Sequence, residues 1–246
     1  MKPLAPFNPS FFNPRSMAAA FVAALVFALS PAKAVASEAR AHPVAVEVAR
    51  MTAEATAVVG ALQADINAGT AGGKASPAQL FTSFQERYLK AAGKAFDEQG
   101  TGLEAEARKT FAASLRDTNT RLSPVMIKGG TDAVVPAYYR AELLKRFNGQ
   151  MRGKVQVYAT TRKADLINAD WAVEKVMKGS PFAAEVAKLM EAGGLTPVTV
   201  ETGDRQMVYI PMRLAAGCVA CHARNGINQK EGDFGGALVT EVWLRR

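Results

Sequence analysis

Thr199-Val200-Glu201-Thr202-Gly203-Asp204-Arg205-Gln206-Met207-Val208-Tyr209-Ile210 is the stretch that decides the fold class. Two β-prone runs flank Gly203-Asp204, a residue pair suited to the two-residue turn of a hairpin. Such a turn joins antiparallel strands, whereas a parallel pair needs a crossover of about a dozen residues. Upstream, Lys154 to Thr160 (KVQVYAT) alternates and is rich in β-branched residues, which predicts another strand. Trp171 to Met177 and Pro181 to Met190 read as helices, the second stopped by Gly193-Gly194. Downstream, Ala237 to Leu244 reads as a closing strand.

Before this region the pattern is helical. Val44, Val48, Met51, Ala55, Val58, Leu62 and Ile66 recur at steps of three and four and so share one helix face. Pro43 suits the first turn, which makes His42 the helix-start residue. Gly69 to Gly73 breaks the helix, and Ser76-Pro77-Ala78-Gln79 carries the signature of a capped restart. Phe81, Phe84, Tyr88, Ala92 and Ala95 then form an apolar stripe, and Leu103 to Leu115 repeats it through Ala107 and Phe111. Pro136 to Phe147 reads as a short helix offering Tyr138, Tyr139, Leu143 and Leu144 to the core. Antiparallel strands, connecting helices and a long N-terminal helical arm give an α+β fold. The expected division is residues 1–36, 37–118 (helical) and 119–246 (mixed).

Between the hairpin and the last strand lies Cys218-Val219-Ala220-Cys221-His222. The C-x-x-C-H spacing matches covalent attachment of a c-type haem. Two thiols three positions apart each form a thioether to one vinyl group of the same porphyrin. The adjoining histidine becomes the proximal iron ligand. The chain has two cysteines and two histidines, so a four-ligand structural zinc site lacks donors. A dithiol redox motif normally follows a strand and opens a helix within a βαβ unit. Here the segment reads as following a polar turn.

The N-terminus supports export. Lys2 and Arg15 flank a region without acids, Met17 to Leu29 is an unbroken apolar run, and Ala32-Lys33-Ala34 and Ala34-Val35-Ala36 are small-x-small sites. That is the three-part layout of a secretory signal peptide, removed at about residue 36. The run is shorter than the roughly 20 residues a membrane span needs. Since c-haem is attached outside the cytoplasmic membrane, the two signals agree on a periplasmic protein that passes through the c-haem maturation machinery. Formal net charge is +8, and residues 1–36 contribute three of the basic residues and no acids. The mature chain is therefore only mildly basic and has no polybasic block with interleaved aromatics, so nucleic acid is not an expected partner.

Several short motifs follow one another in a family order: Pro136-Ala137-Tyr138-Tyr139-Arg140-Ala141, Tyr158-Ala159-Thr160-Thr161, Asn168-Ala169-Asp170-Trp171 with Glu174, Tyr209-Ile210-Pro211, C-x-x-C-H, and Gly232-Asp233-Phe234-Gly235-Gly236-Ala237. In this order they resemble the single-haem c-type, PAS-like periplasmic sensor domains long catalogued as a domain of unknown function. The resemblance covers about residues 115–246. It implies a PAS-like antiparallel sheet around one haem c, in proteins that occur alone or ahead of histidine-kinase and chemoreceptor modules. Two departures bear on the iron. Ala223 stands where the family usually has glycine, and no third cysteine exists to act as a distal ligand.

The distal ligand is therefore open among His42, Met126, Met207, Met212 and a vacant position that would take a small gas such as NO or CO. His42 is the only spare imidazole, and its alternative is a solvated place near the mature terminus. Each methionine is equally at home in core packing. Arg213 is a candidate donor to a haem propionate and Tyr209 a candidate for the haem edge, with Arg162 and Lys163 as further candidates. Trp171 is expected in the core, and Asp170 and Glu174 as a helix-start acid pair.

These residues predict a non-enzymatic redox or small-ligand sensor, or an electron carrier, rather than a peroxidase. A peroxidase would need a distal imidazole and arginine beside an open iron site. The last expected strand ends two residues before Arg246, which leaves no transmitter domain in the sequence. The partner expected is thus a periplasmic or inner-membrane redox or signalling protein that recognises the domain by docking.

Overall fold

The computed structural model describes residues 41–130, 133–214 and 216–244; the expected signal peptide lies outside the described residues. Helix α1 (Pro43–Ala68) starts where its residues dictate. His42 is the N-cap and its side chain accepts the Val44 N–H, Pro43 occupies the first turn, and Gly69 ends the helix at φ 70°. The expected apolar face is the buried one: Val44, Val48, Met51, Ala55, Val58 and Ile66 are buried, and Leu62 packs alongside.

Helix α2 (Pro77–Ala92) is capped by Ser76, whose Oγ accepts the Gln79 N–H at 3.4 Å. Helix α3 (Gly102–Lys128) runs well beyond the expected Leu115. It continues through Pro124, at an exposed position where water can take up the carbonyl that the proline ring leaves unbonded. Helix α4 is Pro136–Gln150. Its Tyr139, Leu143 and Leu144 are buried as expected, but Tyr138 is 44% exposed because it falls on the outer side of the helix.

Where α1 and α3 end, a Cβ on Gly129 would sit 2.4 Å from Gly69 Cα and 2.6 Å from Ile66 O. Only glycine lets the two chains cross there, and Gly130 N–H then bonds to Ile66 O at 3.1 Å.

Four strands form one antiparallel sheet in the order β1-β4-β3-β2: β1 (Val155–Thr160), β2 (Val198–Thr202), β3 (Arg205–Arg213) and β4 (Phe234–Trp243). The hairpin has the expected register, Thr202 opposite Arg205 across Gly203-Asp204, with Gly203 at φ 61°. β3 is interior, yet it contains Pro211. Pairing with β2 stops at Tyr209, so beyond that point β3 is an edge on that side and tolerates proline.

Strand parity sorts the side chains onto two faces. Val155, Val157, Val208, Ile210, Met212, Leu238 and Val242 belong to the core shared with α1 to α4. Met207, Tyr209, Ala237 and Val239 pack on the other face against a one-turn helix α5 (Val173–Val176) and helix α6 (Ala183–Glu191). The expected helix from Trp171 to Met177 is thus two short pieces, because Ala172 between them is extended, at φ −62° and ψ 144°. The architecture is α+β, with helices on both faces of an antiparallel sheet. Among the described residues no helix is long and apolar enough to cross a membrane.

Candidate cofactor site

The helices do not close completely on the sheet. A cavity of about 1120 Å³ separates α1 and α4 from β1, β3 and β4, larger than the roughly 300–1,000 Å³ usual for small-molecule pockets. The reason lies in the side chains. α1 turns Ala49, Ala53, Ala57 and Gly60 toward it, and α4 turns Ala137 and Ala141, at the three- and four-residue steps of one helix face. Ala159, Ile210, Met212 and Leu238 form the opposite wall on the sheet.

Helix α7 (Ala216–Arg224) carries the C-x-x-C-H motif to this cavity. Spacings of three and four place residues 218, 221 and 222 on one side of the helix. The side chains of Cys218 and His222 both line the cavity. The Cys221 side chain lies outside the described residues. Contrary to the polar turn read from the sequence, the motif follows a strand closely and opens a helix. The strands on either side of it, β3 and β4, are nevertheless antiparallel and directly paired, so the setting is not a βαβ redox unit.

His222 is oriented by the following loop. Its Nδ1 lies 2.7 Å from Gln229 Oε1, and Gln229 Nε2 donates to Phe234 O at 2.9 Å. Because the amide nitrogen of Gln229 is spent on a carbonyl, its oxygen must be an acceptor toward the ring. Nδ1 therefore carries the proton and Nε2 keeps a free lone pair, the arrangement of a metal-ligating histidine with an outer hydrogen-bond partner.

A cysteine on the cavity wall, an imidazole with Nε2 available and a large, mostly apolar slot fit a covalently attached haem, with Cys218, Cys221 and His222 as the residues that could hold it. Among the described residues no three His, Cys, Asp or Glu side chains converge as a metal-ion cluster, so a zinc-type donor set is missing from them.

The cavity also holds a cation that the sequence reading did not single out. Arg140 Nη1 donates to Met212 Sδ at 3.3 Å, and Arg140 Nε is buried without a hydrogen-bond partner. Burial pushes its pKa down to about 10, partly offset by the charge of Cys218 nearby, and it remains protonated at neutral pH. Its position was legible in outline, since Ala137, Arg140, Ala141 and Leu144 are spaced as one helix face. Which face would border a cavity was not.

The other candidates scatter. Of the three methionines only Met212 lines the cavity; Met126 is buried in α3 and Met207 points to the opposite face of the sheet. His42 caps α1, and its N–H donates to Gln206 Oε1 at 2.5 Å. His42 does not itself line the cavity, whose first α1 residue, Val46, lies one helical turn further on.

Tyr209 is also turned away, one parity step from Ile210. Its hydroxyl donates to Gly194 O at 3.4 Å, and burial raises its pKa to about 12. Arg213 lines the cavity but is exposed, and it donates to Gly232 O at 3.1 Å. Arg162 pairs with Asp165 at 2.6 Å and lies over the Phe234 ring, while Lys163 is exposed.

Trp171 is half-buried at the cavity wall rather than in the core, and its carbonyl accepts from Thr160 Oγ1 at 2.9 Å. Asp170 and Glu174 are exposed in the first turns of their short helices. No family model matches the chain, and no curated protein or solved structure is significantly similar to it.

Proposed function

We propose that this chain is a non-enzymatic, periplasmic single-haem c-type protein that senses redox state or a small ligand. The observation that carries the reading is the placement of Cys218 and His222 on the wall of one large cavity, with the His222 ring held so that Nε2 is free. Cys218 and Cys221 would hold the haem through thioethers, and His222 would ligate its iron. Bound haem would supply a one-electron iron couple and, with its sixth position open, a site for NO or CO.

The chain's own residues do the rest. Gln229 orients the imidazole, and the alanine faces of α1 and α4 leave room for a flat group. The resemblance to the PAS-like single-haem domains and export by residues 1–36 belong to the same proposal. So does a periplasmic or inner-membrane signalling or redox partner.

The test is an absorption spectrum of the exported protein, co-expressed with c-haem maturation machinery, recorded oxidised, reduced and reduced under CO. Covalent haem that survives denaturation, lost in Cys218→Ala and Cys221→Ala, is the expected result. A CO-induced shift supports ligand sensing. A low-spin reduced spectrum unmoved by CO would place redox sensing or electron transfer ahead, with Met212→Ala testing the one candidate methionine at the cavity. A protein that matures without haem would overturn the reading in favour of dithiol chemistry.

A further inference from the structure

We infer that Arg140 makes the cavity a binding site for a small anion taken up from solution, in addition to the cofactor it is proposed to hold. The cavity's other arginines on the helices are matched: Arg50 meets Glu47 at 3.5 Å and Arg87 meets Glu54 at 3.0 Å. Of the two acids on the cavity wall, Asp165 is taken by Arg162 and Glu231 is exposed to solvent.

Arg140 forms no ion pair among the described residues. One of its nitrogens has only a thioether sulfur as acceptor, and Nε has none. A buried cation left unpaired is expensive, and a guanidinium presents a planar fork that matches an anionic oxygen or nitrogen donor.

Among the described residues no group is placed to answer it. Cys218 lines the same cavity, and its thiolate form would favour the cation at Arg140, but on the haem reading that sulfur becomes a neutral thioether. Nor does the porphyrin supply one. A thioether at Cys218, on the same cavity wall as Arg140, would turn the vinyl edge of the ring toward it, and the propionates leave from the opposite edge. What remains is an external anion seated between Arg140 and the ring, with the alanine walls limiting it to a few atoms. Formate and azide are probes of that size and charge.

This inference rests on the haem reading for its exclusion of Cys218 and the propionates, so haem content is measured first. With haem present, purified wild-type, Arg140→Lys and Arg140→Gln proteins are titrated with formate and with azide at fixed ionic strength, following the Soret band. Expected are saturable shifts in the wild type, affinity about tenfold weaker or worse in Arg140→Gln, partial rescue in Arg140→Lys, and CO binding unchanged in all three. Thermal melts of each variant confirm folding.

Wild-type protein that takes up neither anion, or Arg140→Gln that binds them equally well, overturns the inference. A reduction potential that becomes pH-dependent in Arg140→Gln while anion affinity stays the same would also overturn it, assigning Arg140 to a propionate. If the chain carries no haem, the function proposed above fails on that count alone. The anion site is then read separately, as a formate-dependent rise in melting temperature that is present in the wild type and absent in Arg140→Gln; without that rise it falls as well.

Discussion

Gln229 holds His222 from behind, with Oε1 2.7 Å from Nδ1, and is itself held by the Phe234 carbonyl. A hydrogen bond accepted from Nδ1–H pushes electron density onto Nε2, the nitrogen proposed to meet the iron. Gln229→Leu removes the acceptor and should raise the reduction potential. Gln229→Glu strengthens it and should lower the potential. Outer-shell changes typically shift metal-site constants by about tenfold or more, and tenfold corresponds to about 59 mV for a one-electron couple. Spectroelectrochemical titration of the three proteins would show it. Potentials that agree within error would mean the contact merely orders the loop.

What could be read from the sequence is what is encoded locally. The α1 stripe, the Ser76 cap and the Gly203-Asp204 turn all depend on neighbours within four residues, and all stand as expected. The motif's position on α7, the cavity beside α1 and the contacts of Arg140 and Gln229 depend on residues brought together from far along the chain. Tyr209 illustrates the limit. Its strand was legible, but which face of that strand borders the cavity is settled only when α1 and α4 pack on Ile210 and Met212. The run of alanines on α1 was visible too, yet alanine suits both a close helix contact and a deliberate gap.

Glu241 lies on the sheet face away from the cavity, fully buried. Ser180 donates to it, Arg205 stands 3.6 Å away, and its Oε2 has no hydrogen bond. Burial holds its pKa above the ordinary glutamate value, against the opposing pull of Ser180 and Arg205. The folded state therefore binds this proton more tightly than the unfolded chain. Its contribution to stability is full below the unfolded pKa of about 4.3 and is lost as pH rises through the folded value. Glu241→Gln keeps an acceptor for Ser180 without the charge. Its melting temperature should exceed that of the wild type near neutral pH and depend less on pH above the acid range. Parallel pH profiles would show that Arg205 already compensates the charge.

Phe84 is fully buried, with ring centroids 5.1 Å from Phe96, 5.8 Å from Phe111 and 6.0 Å from both Phe81 and Tyr88. It joins α2 to α3 and the segment between them, so truncation opens a void that no single neighbour can fill. Phe84→Ala should cost about 3–5 kcal/mol in urea unfolding. A loss below about 1 kcal/mol would mean the helical layer relaxes around the void, and the aromatic cluster is not its organising core.

Ala57 tests the slot itself. It lies on the α1 face that lines the cavity, at the four-residue step from Ala53. An aromatic ring placed there would occupy the volume proposed for the porphyrin. Overpacking a filled core costs about 1–3 kcal/mol, but here the ring enters space that is not filled by side chains, so Ala57→Phe should fold with a melting temperature close to or above that of the haem-free wild type. Its yield of covalent haem should fall sharply when co-expressed with the maturation machinery. Haem staining on denaturing gels, set beside the melting curve, separates the two effects. A stable Ala57→Phe protein that still acquires a full complement of haem would place the porphyrin outside this cavity, and would leave the alanine face of α1 without the role assigned to it.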